Sequence, residues 1–185
     1  MMDGTAIVGD FADRDPAYHS GAGYVLSVPE FATTFCFCGT PGPCGNGASL
    51  GSCVNSTGAG ARLNACGTAS VAADDLLLQL SGAPPAQLVL FFCGPGRTRN
   101  PFGDGFACVA GGGVGILRFP PRLTSATGAL SEGRGLLARL QALHGSKGQV
   151  LAGQTWQFQA WFHDPGGPCG SGANLSNALS VSFSP

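Results

Sequence analysis

Residues 155–163, TWQFQAWFH, alternate along their length: Trp156, Phe158, Ala160 and Phe162 take one parity, and Gln157, Gln159, Trp161 and His163 take the other. Successive side chains of a strand point to opposite faces, so this is a strand with an apolar core face and a polar face carrying one indole. Runs of similar β character recur at 6–9 (AIVG), 23–28 (GYVLSV), 69–73 (ASVAA), 75–80 (DLLLQL), 87–93 (QLVLFFC), 114–119 (VGILRF), 149–152 (QVLA) and 178–183 (ALSVSF). Between them lie SGAPPA, CGPGRTRNPFGDG, GGG and DPGGPCGSG. Short runs with such punctuation predict an all-β sandwich or barrel. One segment fits two readings. In GLLARLQALHG, residues 135–145, Leu136, Leu137, Leu140 and Leu143 form a helical stripe closed by glycine, but a further strand suits it too.

Composition sharpens this picture. In 185 residues there are 31 glycines and 13 prolines, and charged residues make up only 10%, against roughly 25% in an ordinary soluble domain. Disorder needs low hydrophobicity and high net charge; this chain is 44% apolar with a net charge of −1. The length suits one well-cored domain with an appendage. Nine scattered basic residues leave no clustered footprint for nucleic acid. The longest apolar run, LVLFFC at 88–93, is far short of the ~20 residues that span a bilayer. The opening MMDGTAIVGD has neither the basic stretch nor the apolar core of a secretory signal, so the chain either stays inside the cell or is a piece of a longer exported one.

Eight cysteines stand at 36, 38, 44, 53, 66, 93, 108 and 169. Zinc sites pair their cysteines in C-x2-4-C knuckles, whereas the spacing here is C-x-C-x5-C-x8-C with no histidine close by. A redox pair would be C-x-x-C opening a helix, but CGTPGPC is a Gly/Pro loop. A disulfide framework remains, and it implies an oxidising compartment. Cys36, Cys38, Cys44 and Cys53 are expected to form two local bridges. Cys66 and Cys93, beside strand-like runs, are expected to pair, which leaves Cys108 for Cys169.

The stretch DGTAIVGDFADRDPAYHSGAGYVLSV, residues 3–28, resembles the end of an FG-GAP repeat, the unit of integrin-like β-propellers. Ala6–Gly9, the aspartates Asp10, Asp13 and Asp15, and Gly21–Val25 take the places of its strand, loop and following strand. Residues 36–184 resemble a module found after such repeats in large exported bacterial proteins, through CGNG…GSCVNSTGAGARL…CGTASVAADDLLL, LFFCGPGRTRNPFGDGFACV and WQFQAWFHDP…NLSNALSVSF. The resemblance implies an extracellular or cell-surface protein, with residues 1–30 a partial repeat and residues 31–185 a disulfide-stapled antiparallel β-sandwich, jelly-roll-like, after a short β-hairpin. A lone blade cannot bury its own faces, because repeat architectures need about three units.

Candidate chemistry is sparse. FG-GAP loops bind calcium through closely spaced aspartates, so the resemblance makes Asp10, Asp13 and Asp15 candidate ligands. Their D-x-x-D-x-D spacing followed by Pro16 departs from the usual pattern, so calcium binding would be weak. No G-x-S-x-G elbow is present, and His163 and Asp164, as strand neighbours, point apart. His19 and His144 fall in loops or at a helix end, Asp74 and Asp75 at a strand start, and Glu132 has no evident carboxylate partner. AGGGVG at 110–115 lacks the Lys-Ser/Thr of a phosphate loop. No catalytic residue is assigned. Asn55-Ser-Thr and Asn174-Leu-Ser are glycosylation sequons that read as turn residues. The expected function is a non-catalytic adhesion or structural module of a larger secreted protein, meeting a surface glycan or protein ligand. The alternative is a carbohydrate-binding module that stacks a sugar on Trp161 between Gln159 and His163.

Overall fold

The computed structural model describes residues 31–39, 41–48 and 51–185 in full, and residues 5–9 and 23–27 by their backbone. The chain divides into two compact units, Met1–Glu30 and Phe31–Pro185. In the first, β1 (Thr5–Gly9) and β2 (Gly23–Ser27) form an antiparallel ladder from Thr5↔Ser27 to Gly9↔Gly23. Asp10, Asp13, Asp15 and His19 lie outside the described residues.

The second unit is built on β12 (Thr155–Asp164), flanked by β6 (Leu88–Gly94) and β13 (Gly172–Ser182). Antiparallel pairing extends this sheet to β3 (Ala32–Phe35) beyond β13, and to the short β9 (Leu117–Arg118) and β10 (Arg122–Leu123) beyond β6. A second sheet has the order β11 (Leu130–Gly133), β5 (Leu77–Ser81), β4 (Arg62–Cys66). The expected apolar parity holds. Phe158, Ala160 and Phe162 of β12, with Val89, Phe91 and Cys93 of β6, share one core with Leu63 of β4 and with Leu78 and Leu80 of β5.

The segment 135–145 resolves to a helix, α1 (Leu136–His144), whose Leu136, Leu137 and Leu140 enter the same core. Its entry is capped from a distance: the Asp74 carboxylate accepts the N–H groups of Leu137 (2.8 Å) and Ala138 (3.0 Å). These donors have no intrahelical partner, and a carboxylate at the positive end of the helix satisfies both needs. Asp74 is therefore a cap of α1. Replacing it with alanine is expected to cost about 1 kcal/mol, read as a lower urea midpoint with early hydrogen exchange in α1.

The sheets are joined by a β-bulge. Gln159 faces Ala178 and Trp161 faces Leu175, so Ser176 and Asn177 together oppose Ala160. The Asn177 amide extends to β4, where its Oδ1 accepts the Leu63 N–H (2.8 Å) and its Nδ2 donates to the Leu63 carbonyl (2.9 Å). This side chain does for the edge of β4 what another strand would do.

Two expected strands are absent: residues 69–73 form mainly a turn, and 149–152 are irregular. A hairpin was not foreseen. β7 (Gly96–Phe102) and β8 (Gly105–Ala110) occupy the stretch read as a loop. Its Gly, Pro and Asp signals mark the turn at 103–104 and a register shift between Arg97 and Asn100.

Three disulfides form, Cys36–Cys108, Cys38–Cys53 and Cys44–Cys169. Only Cys38–Cys53 is local; the expected second local bridge and the Cys108–Cys169 bridge are replaced by two that run from the 36–53 loop to distant parts of the chain. Cys66 and Cys93 are free thiols, and strand parity explains why. Cys93 is in the core, whereas Cys66 follows Ala65, which packs on that core, so Cys66 points to the opposite face of its sheet. Burial pushes the Cys93 thiol far above its usual range. Alkylation of the native, unreduced protein is expected to label Cys66 first and Cys93 only on denaturation, with three linked peptide pairs by mass spectrometry. A linked Cys66–Cys93 pair would refute this arrangement.

Candidate functional site

The polar parity of β12 does not meet solvent as a platform. The β7–β8 hairpin lies over it, and Phe92, Cys108, Val109, Leu175 and Ala178 form a second apolar cluster between hairpin and sheet, with Leu90, Phe106 and Trp161 packed against it. Gln159 is 0% exposed. Its Oε1 accepts the Cys108 N–H (2.9 Å), and its Nε2 donates to the carbonyls of Phe106 (2.8 Å) and Ser176 (2.7 Å). Both amide hydrogens and the carbonyl are thus committed to the protein itself. Gln157 is also buried and accepts the Arg97 Nε–H at 3.1 Å.

The three expected sugar-contacting residues therefore separate. Gln159 is an internal clamp. His163 is exposed, with its Nδ1 2.9 Å from Gln87 Oε1. Trp161 is half-buried and opens onto a groove of about 370 Å³. Leu90, Phe92, Trp161 and Leu175 line it from the sheet, and Phe102, Ala107 and Val109 from the hairpin; Ile116 and Arg118 complete it. The register creates this surface: Leu117 pairs with Cys93 and enters the core, which turns Arg118, opposite Phe92, to the groove face. Phe102, at the hairpin end, is 55% exposed.

Arg118 was not singled out from the sequence, and neither was the apolar lining. A signal existed in LVLFFC. An uninterrupted apolar run fits a strand buried on both faces, so Leu90 and Phe92 already mark the second face of the sheet as covered.

The remaining candidate groups have structural partners. Glu132 is buried and paired with Arg139 and with Arg122 (3.3 Å). Asp104 accepts the N–H groups of Cys169 (3.0 Å) and Ser171 (3.1 Å), and Asp164 accepts that of Ser56 (3.1 Å). Both carboxylates are fully buried and close on Gly167, where any side chain would collide with them. The Thr68 hydroxyl, then its N–H, hold the Asp75 carboxyl below its usual pKa. Asn55 and Asn174 are buried, with side chains bonded to Gly82 and Val54 carbonyls, so neither sequon presents an acceptor on the folded surface. Among the described residues no three His, Cys, Asp or Glu side chains are grouped to hold a metal ion.

A larger depression of about 610 Å³ is lined mostly by glycine and alanine from 47–60, with Arg62 and Ser81–Gly82. It offers little side-chain chemistry. Comparison with protein-family models, curated proteins and solved structures found no match. The groove beside Trp161 is thus the candidate site on geometry alone.

Gln159→Leu would strand one N–H and two carbonyls beneath the hairpin, at a cost of about 2–4 kcal/mol after relaxation. Urea unfolding should show that loss, with Cys108 among the amides losing most exchange protection. A change below about 0.5 kcal/mol, the range of ordinary surface substitutions, would remove the clamp assignment.

Proposed function

We propose that this chain is a non-catalytic module of a larger secreted protein, serving adhesion or structure outside the cell or on its surface, and that its two sheets form a jelly-roll-like β-sandwich. The observation that carries this reading is the set of three disulfides. They fasten the 36–53 loop to the β8 strand through Cys108, to itself through Cys53, and to the 164–172 loop through Cys169. Bridges of this kind persist in oxidising compartments and are rare where thiols are kept reduced. A loop layer poor in apolar residues gains from them the constraint that packing cannot supply, at about 2–4 kcal/mol per bridge.

The test is localisation together with attachment. In the producing cell, the chain is expected in the surface or secreted fraction, with six of its cysteines protected from alkylation when it is denatured without reductant. Beads coated with the oxidised protein should adhere to the producer's surface or surrounding matrix, and beads coated with reduced protein should lose that adhesion. Recovery from the cytosol with all eight thiols reactive on denaturation without reductant would end the reading.

A further inference from the structure

The groove beside Trp161 combines an elongated apolar floor with one cation at one end. Its floor crosses neighbouring strands: Arg118 on β9, Leu90 and Phe92 on β6, Trp161 on β12 and Leu175 on β13. Three inter-strand steps of about 4.8 Å make this roughly 14 Å long. Such a floor suits a linear chain better than a compact ring. Its volume of about 370 Å³ falls in the range of small-molecule sites, about 300–1,000 Å³.

Arg118 sets the polarity. Among the described residues it is the only charged one lining the groove, and none of them that lines it is acidic. Glu132 is occupied by Arg122 and Arg139, and Asp104 and Asp164 are satisfied by backbone N–H groups. Arg97 and Arg99 lie over the rings of Phe35 and Phe106 at 4.3 and 4.0 Å, and bond to Gln157 and to the Cys38 carbonyl. Among the described residues, the Arg118 guanidinium has neither an acidic partner nor a side-chain hydrogen bond. Its main chain is held, since its carbonyl lies 2.9 Å from His144 Nε2. A guanidinium so placed matches a carboxylate, which it can grip through two parallel N–H donors.

We propose that this groove binds a free medium-chain carboxylate of about ten carbons, with its head at Arg118 and its alkyl chain laid across Phe92, Leu90 and Trp161 toward Leu175, beneath Phe102. Each methylene withdrawn from water on that floor adds favourable transfer free energy, and the single ion pair fixes the direction of the chain. This chemistry rests on the groove and not on what the rest of a secreted protein does.

The test uses the full chain and three probes that share a ten-carbon chain, below their micelle-forming concentrations: decanoate, decanol and decyltrimethylammonium. Calorimetry and tryptophan emission are recorded together. Decanoate is expected to bind saturably and to shift the indole emission, at least ten-fold more tightly than decanol, with no binding of the ammonium probe. Arg118→Gln, at an exposed position that leaves the core intact, should lower decanoate affinity at least ten-fold and leave decanol unchanged. Trp161→Phe should abolish most of the emission change while calorimetric binding persists, and Arg62→Gln, outside the groove, should change nothing. Absence of saturable decanoate binding, equal affinity for decanol, or indifference to Arg118→Gln would each overturn the proposal.

Discussion

Burial of β12 on both faces is the constraint on which the other elements depend. A strand covered on one side can leave its polar parity in water; β12 cannot, because the hairpin closes over Gln157 and Gln159. Once inside, each amide must find partners or cost about 1–3 kcal/mol for each group left unsatisfied. Gln159 finds them in the backbone of β8 and in the bulge of β13. One side chain thereby specifies where the hairpin sits, which an apolar residue of similar size could not do.

The bulge completes the same arrangement on the opposite side. Setting Ser176 and Asn177 against Ala160 places the Asn177 amide against Leu63 of β4, and lets the Ser176 hydroxyl accept the Ala160 N–H at 3.0 Å. A regular ladder would alternate past this point without presenting an amide to the second sheet. Buried amides thus hold the sheet to its neighbours on both sides, one bridge, Cys36–Cys108, ties β8 as well, and the other two secure loops. Cys38–Cys53 and Cys44–Cys169 secure segments rich in glycine and polar residues, which have little apolar surface of their own to bury.

How much of this is legible in the sequence depends on whether the signal is local. The apolar parity of 155–163 and the leucine stripe of 135–145 are local, and both elements form there. The β7–β8 hairpin is not legible, because β7 (GRTRNPF) carries loop composition and its geometry depends on the partner strand, although the apolar run FACVA of β8 is itself strand-like. Arg97 and Arg99 look like solvated charges in the sequence, yet each lies across an aromatic ring. Disulfide pairing is non-local as well. Nothing in the spacing of Cys36 identifies Cys108, which is brought to it only when the hairpin docks. Cys66 and Cys93 stay apart for a reason parity could have supplied, had the strand containing Cys66 been recognised at 62–66.

The same non-local docking accounts for the candidate site. The hairpin covers the sheet over Gln159 and Gln157 but leaves Trp161 half-buried on its flank, with Phe102 overhanging at the turn. A fully covered face would need more apolar residues from the hairpin than Ala107 and Val109 provide. β9 bounds the opposite side and, through its pairing with β6, presents Arg118 rather than Leu117 to the groove. The opening therefore follows from the register and length of these strands and not from a dedicated loop. Its floor is the central sheet, and the hairpin strand β8 that lines it is tied to Cys36 by the Cys36–Cys108 disulfide. A ligand in the groove would find apolar surface already in place, and only the exposed Arg118 side chain would have to be ordered to grip it.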